Sequence, residues 1–76
     1  MPTVYTIADI GAIVRKKRIE LGMTQTQLAD ISGSGTRFIS ELENGKQTMQ
    51  IGKVLNLLHF LGFNISISKR GAEHGA

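Results

Sequence analysis

Apolar residues return along this chain at intervals of three and four through four separate stretches, and beyond residue 62 at intervals of two. The first stretch puts Ile7, Ile10, Val14 and Leu21 on one face of a helix from about Ile7 to Leu21, with Gly11 and Arg18 beside them. Gly22 is its left-handed stop. Thr24 then starts a second helix, and Gln27, three residues on, completes a capping box. Leu28 and Ala29 supply the buried side of that helix, with Ile31 near its end, and the small Ala29 suits a close helix crossing. Ser32-Gly33-Ser34-Gly35 forms a tight turn, in which glycine takes positive φ and Ser34 or Gly35 opens the next helix.

The third helix is expected over Thr36 to Glu43, burying Phe38 or Ile39 together with Leu42 and stopping at Asn44-Gly45. After Lys46 and Gln47, Thr48 caps a fourth helix from Met49 to Leu61, whose core stripe reads Ile51, Val54, Leu55, Leu58 and Leu61, with Gly62 ending it. Phe63-Asn64-Ile65-Ser66-Ile67-Ser68 alternates apolar and polar, the pattern of a strand with one buried face. A lone strand cannot satisfy its backbone within this chain, and a second copy is the simplest partner. The expected architecture is therefore all-α: a tail over 1–6, a four-helix domain over 7–62, a dimerisation strand over 63–68 and a flexible tail over 69–76. Two short helices separated by a tight turn are the layout of a helix-turn-helix, whose second helix enters the DNA major groove.

Composition narrows this modestly. The 76 residues make one small domain, and the absence of Cys removes both a disulfide framework and a thiolate metal site. A small helical domain of this kind gains stability by dimerising. The net charge of +3 and a pI near 9.7 favour a polyanionic partner without proving one. No apolar run approaches the roughly 20 residues of a membrane span, and the N-terminus lacks a secretory pattern, so a cytoplasmic location is expected.

In a helix-turn-helix, base edges are reached from the start of the second helix and from its outer face one turn later. Thr36, Arg37, Ser40 and Glu41 occupy those positions, while Ile39 and Leu42 point inward. Arg37 leads as a reader, because its fork matches guanine O6 and N7. Thr36 suits a thymine methyl or a phosphate, and Glu41 either accepts from cytosine or keeps phosphates at a distance. A solvated face without a ligand is the bland alternative. Thr24 and Gln25, at a helix N-terminus, are candidates for phosphate, although Thr24 and Gln27 could serve only as caps. Lys46, with Asn44 beside it, is a further phosphate candidate.

Arg15-Lys16-Lys17-Arg18 is the one charge run, but its members point in different directions around a helix. Arg18 falls on the apolar side, where a buried stem and a carboxylate partner such as Glu43 are expected. Phe60 lies opposite the fourth helix's core stripe, and next to an unpaired strand it fits a dimer surface with Phe63, Ile65 and Ile67. His59 and His74 lack ligand-spaced partners, so neither a metal nor another cofactor is expected. No nucleophile–base set is visible, and Gly33 and Gly35 do not follow a strand as a dinucleotide site requires, so enzymatic activity is not expected.

The run Thr24 to Ala29, followed by Phe38-Ile39-Ser40-Glu41-Leu42-Glu43-Asn44-Gly45-Lys46, resembles the Xre, or phage-repressor-like, helix-turn-helix family over about residues 7–62. The ending Leu58-His59-Phe60-Leu61-Gly62-Phe63 and the strand after it resemble the HipB-like antitoxin branch more narrowly. The resemblance implies a homodimer with C-terminal strands paired across its twofold axis. It implies a palindromic operator upstream of the protein's own operon and a HipA-like serine/threonine kinase toxin as partner. By motif position, Gln25 would meet phosphate, Thr36, Arg37 and Ser40 would face the groove, and Asn44 and Lys46 would hold the backbone. The chain departs from the family at Ser34 and Gly35, where an apolar residue and a Ser cap are usual, so the turn should pack less firmly. Two other readings stand beside the antitoxin: a stand-alone repressor of the same fold, and a protein-interaction module without DNA contacts, which predicts no salt-dependent binding.

Overall fold

Backbone groups at a helix start need acceptors, and this chain supplies them twice with the same device. In the computed structural model, which describes residues 3–70, Thr6 Oγ1 accepts from the backbone N–H of Asp9 at 3.1 Å. Asp9 Oδ2 in return accepts from the N–H groups of Tyr5 and Thr6 at 2.8 and 3.0 Å. This capping box opens α1, Ile7–Glu20. At α2, Gln25–Ser32, Thr24 Oγ1 accepts from Gln27 N at 3.1 Å while Gln27 Oε1 accepts from Thr24 N at 2.8 Å, as its sequence predicts. Gly33 closes α2 at φ 76°, a conformation that glycine reaches without a Cβ penalty.

The helix α3 spans Thr36–Glu43, and α4 spans Ile51–Phe60. Gly35 caps α3 without a side-chain hydrogen bond, the expected consequence of lacking a Ser there. The fourth helix is shorter than the Met49–Leu61 expected, because Gln50 and not Thr48 holds the cap position and gives no side-chain bond.

Val14, Leu28, Ala29, Ile39, Leu42, Val54, Leu57, Leu58 and Leu61 form the core, flanked by half-buried Ile7, Ile10, Met23, Phe38, Met49 and Phe63. The stripe of α4 is therefore rotated from the expected one: Leu57 is buried, whereas Ile51 and Leu55 are exposed. Leu21 and Ile31, expected on buried sides, are also exposed, since each sits at a helix end beyond the reach of the core. At α3, Ile39 is fully buried and Phe38 packs on the margin.

α3 packs against both α1 and α2. Its approach to α1 is close enough that a Cβ on Gly11 would strike the carbonyl oxygen of Leu42. Glycine at 11 is thus what lets the two backbones meet.

Among the described residues there are four helices and no strand. Residues 63–69 form no ladder within the chain, and the physical reason is the one the sequence supplies: the segment has no second strand to pair with. The expected tails fall partly outside the description, which omits residues 1–2 and 71–76, and with them His74.

Candidate nucleic-acid interface

The amphipathic character of α3 determines what it can present. Ile39 and Leu42 are fully buried, which turns Thr36 and Arg37 out to solvent and leaves Ser40 and Glu41 half-covered on the flanks. Thr36 and Arg37 occupy the first turn, with Ser40 and Glu41 one turn later. The four expected base-reading positions therefore share the exposed side of one short helix.

Arg37 extends into solvent, with its side chain 88% exposed, and donates through Nε to Glu41 Oε2 at 3.3 Å. Lys46 Nζ donates to the same oxygen at 3.0 Å. Lys46 is fixed there by the ending of α3, where its backbone N–H bonds the carbonyl of Glu41 and Gly45 N–H bonds that of Leu42, both at 3.0 Å. The Lys46 ammonium first, and the Arg37 guanidinium with it, hold the Glu41 carboxyl below the usual carboxylate range. Asn44 is exposed at the same helix end.

A second cluster lies at the last turn of α3. Arg18 grips Glu43 with two bonds, Nε to Oε2 at 2.7 Å and Nη2 to Oε1 at 3.0 Å, and its Nη1 donates to the Met23 carbonyl at 2.7 Å. The two side chains are only 12% and 3% exposed, so this is a largely desolvated pair. Its hydrogen bonds to Glu43 raise the already high arginine pKa. Gln25 joins it, donating from Nε2 to Glu43 Oε1 at 3.2 Å. The structure thus ties the end of α1, the first turn of α2 and the last turn of α3 together at one carboxylate.

The expected sites are consequently brought together in two groups. Thr36, Arg37, Ser40, Glu41, Asn44 and Lys46 belong to α3 and its end, and Thr24 and Gln25 belong to the start of α2. The Thr24 hydroxyl accepts from the helix backbone, and Gln25 is partly committed to Glu43. The link from Gln25 to Glu43 was missed from sequence, because the two residues are 18 apart and no short motif joins them. The pairing of Arg37 with Glu41 carries a usable signal, opposite charges four apart on a helix. Of the dimerisation candidates, Phe60, Ile65 and Ile67 are exposed, whereas Phe63 is half-buried against its own core. No group of His, Asp or Glu suited to a metal ion occurs among the described residues.

The Helix-turn-helix family matches residues 14–67 of this chain. An uncharacterized HTH-type transcriptional regulator, y4mF, of Sinorhizobium fredii is 52% identical over 68 residues, which is 90% of this chain and 90% of that protein. The competence pilus inhibition repressor of Acinetobacter baylyi is 44% identical over 63 residues, covering 80% of this chain and 54% of the repressor. Among solved structures, the chain is similar to HipB in a HipB-O4 20mer complex, with TM-score 0.78 and 20% identity over 92% of this chain and 99% of that one. It is equally similar, at TM-score 0.78 and 20% identity with the same coverage, to a chain of a HipA-HipB-O2-O3 complex. At that identity the likeness is one of fold.

Proposed function

The chain belongs to the helix-turn-helix family, as a transcriptional regulator of the Xre type, and from that premise we propose a sequence-specific repressor that binds a palindromic operator upstream of its own operon as a homodimer. One observation carries this reading: α3 buries Ile39 and Leu42 and directs Thr36 and Arg37 outward, with the cation of Lys46 set at its end. In the proposed complex Thr36, Arg37, Ser40 and Glu41 face base edges, and Thr24, Gln25, Asn44 and Lys46 hold the phosphate backbone. Gln25 suits its role because Glu43 holds the amide at a helix start where backbone N–H groups point outward.

The homodimer is proposed on the apolar surface left outside the core. Ile51, Leu55, Phe60 and Ile65 are each 40% exposed or more, and Ile67 is 96% exposed. Such a set is large for so small a domain, and a second copy pairing strand 63–68 would cover part of it.

We further propose an antitoxin role, with a HipA-like serine/threonine kinase as partner. Its support is the likeness in fold to HipB, one of whose similar structures is a complex with HipA. A stand-alone repressor is the second reading, favoured by the relative that is named a repressor. A kinase encoded beside this protein that elutes with it as one complex supports the antitoxin; separate elution supports the stand-alone repressor.

The DNA reading is tested at Arg37. Arg37→Ala should weaken binding to the operator by about 1–3 kcal/mol and relax preference at one base pair per half-site. An equal loss on random duplex would make Arg37 a phosphate contact instead.

A further inference from the structure

The recognition surface holds one feature that a simple DNA-binding face does not need. Both of its outward cations, Arg37 and Lys46, are bound to a single carboxylate oxygen, Oε2 of Glu41, at 3.3 and 3.0 Å. The backbone brings the three residues together. Arg37 and Glu41 are one helical turn apart, and the bond from Lys46 N–H to the Glu41 carbonyl fixes the third member beside them.

We propose that Glu41 is a specificity-determining residue that discourages binding to unsuitable DNA, its carboxylate holding Arg37 and Lys46 until a duplex offers both an acceptor to Arg37 and an amino donor to Glu41. This rests on the DNA-binding reading and deepens it.

What each group meets in the groove decides the balance. Exposed ion pairs are weak, so releasing Arg37 and Lys46 costs little. What costs more is a bare carboxylate near phosphates once its cations have left it for the DNA. In the major groove only cytosine N4 and adenine N6 donate hydrogen bonds; guanine O6 and N7, adenine N7 and thymine O4 are all acceptors. Guanine for Arg37 with cytosine or adenine opposite Glu41 therefore compensates both residues at once. Other sequences leave Glu41 facing acceptors and repelled by phosphates, so discrimination arises from a repulsive element as well as an attractive one. With its carboxyl held below the usual carboxylate range, Glu41 stays ionised throughout the neutral region, and the device needs no change of pH.

The test uses the full chain and fluorescence anisotropy on two labelled duplexes of equal length, one from upstream of its own gene and one of random sequence. Glu41→Gln keeps an acceptor and removes the charge. It should tighten binding to the random duplex about tenfold and weaken operator binding about twofold, because a neutral amide accepts less strongly from the amino donor than a carboxylate, so that the specificity ratio falls more than about tenfold. The salt slope on random duplex should steepen by about 0.9 for each freed cation that reaches a phosphate. Asp30→Asn, which removes an exposed charge on α2 outside the cluster, should leave the ratio within about twofold.

An unchanged ratio in Glu41→Gln, or equal shifts in both variants, would overturn the proposal while leaving DNA binding intact. So would a loss confined to the operator, which makes Glu41 an ordinary base contact. Absence of salt-dependent binding in every variant, wild type included, overturns the DNA-binding reading and this proposal with it.

Discussion

Glu43 accepts hydrogen bonds from Arg18 and Gln25, and its side chain is 3% exposed. A charge in that position is tolerable only while it is paired, because the cost of leaving a buried carboxylate or guanidinium unpartnered exceeds the net worth of the pair itself. Glu43→Ala should therefore lower unfolding stability by about 3 kcal/mol, with the midpoint of a urea transition as readout. A loss below about 0.5 kcal/mol would show the pair to be no better than a surface one. The pair was legible in the sequence: Arg18 lies on the apolar side of α1, and a charge there requires a carboxylate. Gln25 as a third member was not legible, since its position at a helix start suggests phosphate contact whether or not Glu43 holds it.

Helix ends and helix faces differed in how plainly they could be read. The bounds of α3 and the box of Thr24 with Gln27 follow directly from local chemistry, which acts over three or four residues. The start of α1 depends on a box of the same kind, Thr6 with Asp9. Here pH gives a test. The backbone N–H groups of Tyr5 first, and then Thr6, hold the Asp9 carboxyl below its usual range. A depressed carboxylate contributes stability that is present above its unfolded pKa and lost as pH falls through the folded value. Wild type should accordingly exceed Asp9→Asn in urea midpoint at neutral pH, and the gap should close as pH falls through and below the ordinary aspartate range. A gap that stays constant with acid would remove Asp9 ionisation from the account.

The buried face of α4 is not set by local chemistry. Ile51, Val54, Leu55, Leu57, Leu58, Phe60 and Leu61 supply two overlapping stripes at helical spacing, and periodicity alone does not choose between them. Packing chose the stripe containing Leu57 and left Ile51 and Leu55 outside. That choice depends on which face meets the other three helices, which is tertiary information.

At the scale of the whole molecule, those outward residues matter most. A domain of this size has a modest core, and its exposed Ile51, Leu55, Phe60, Ile65 and Ile67 suit coverage by a second chain. Removal of residues 63–76 should shift sedimentation toward the monomer at micromolar concentration. A truncated chain that remains dimeric would overturn the role of the 63–68 segment in dimerisation. The proposed homodimer would also set how the operator is read, because two recognition helices related by a twofold axis meet successive major grooves about 34 Å apart.

That geometry gives the most direct test of the central claim, that this chain reads DNA as a paired helix-turn-helix. The measurement is a hydroxyl-radical and base-protection footprint of the full chain on the DNA upstream of its own gene. Two protected half-sites of inverted sequence are expected, centred about one helical turn apart, with protection that fades as salt rises. Protection spread evenly along the duplex, or none at low salt, would contradict it.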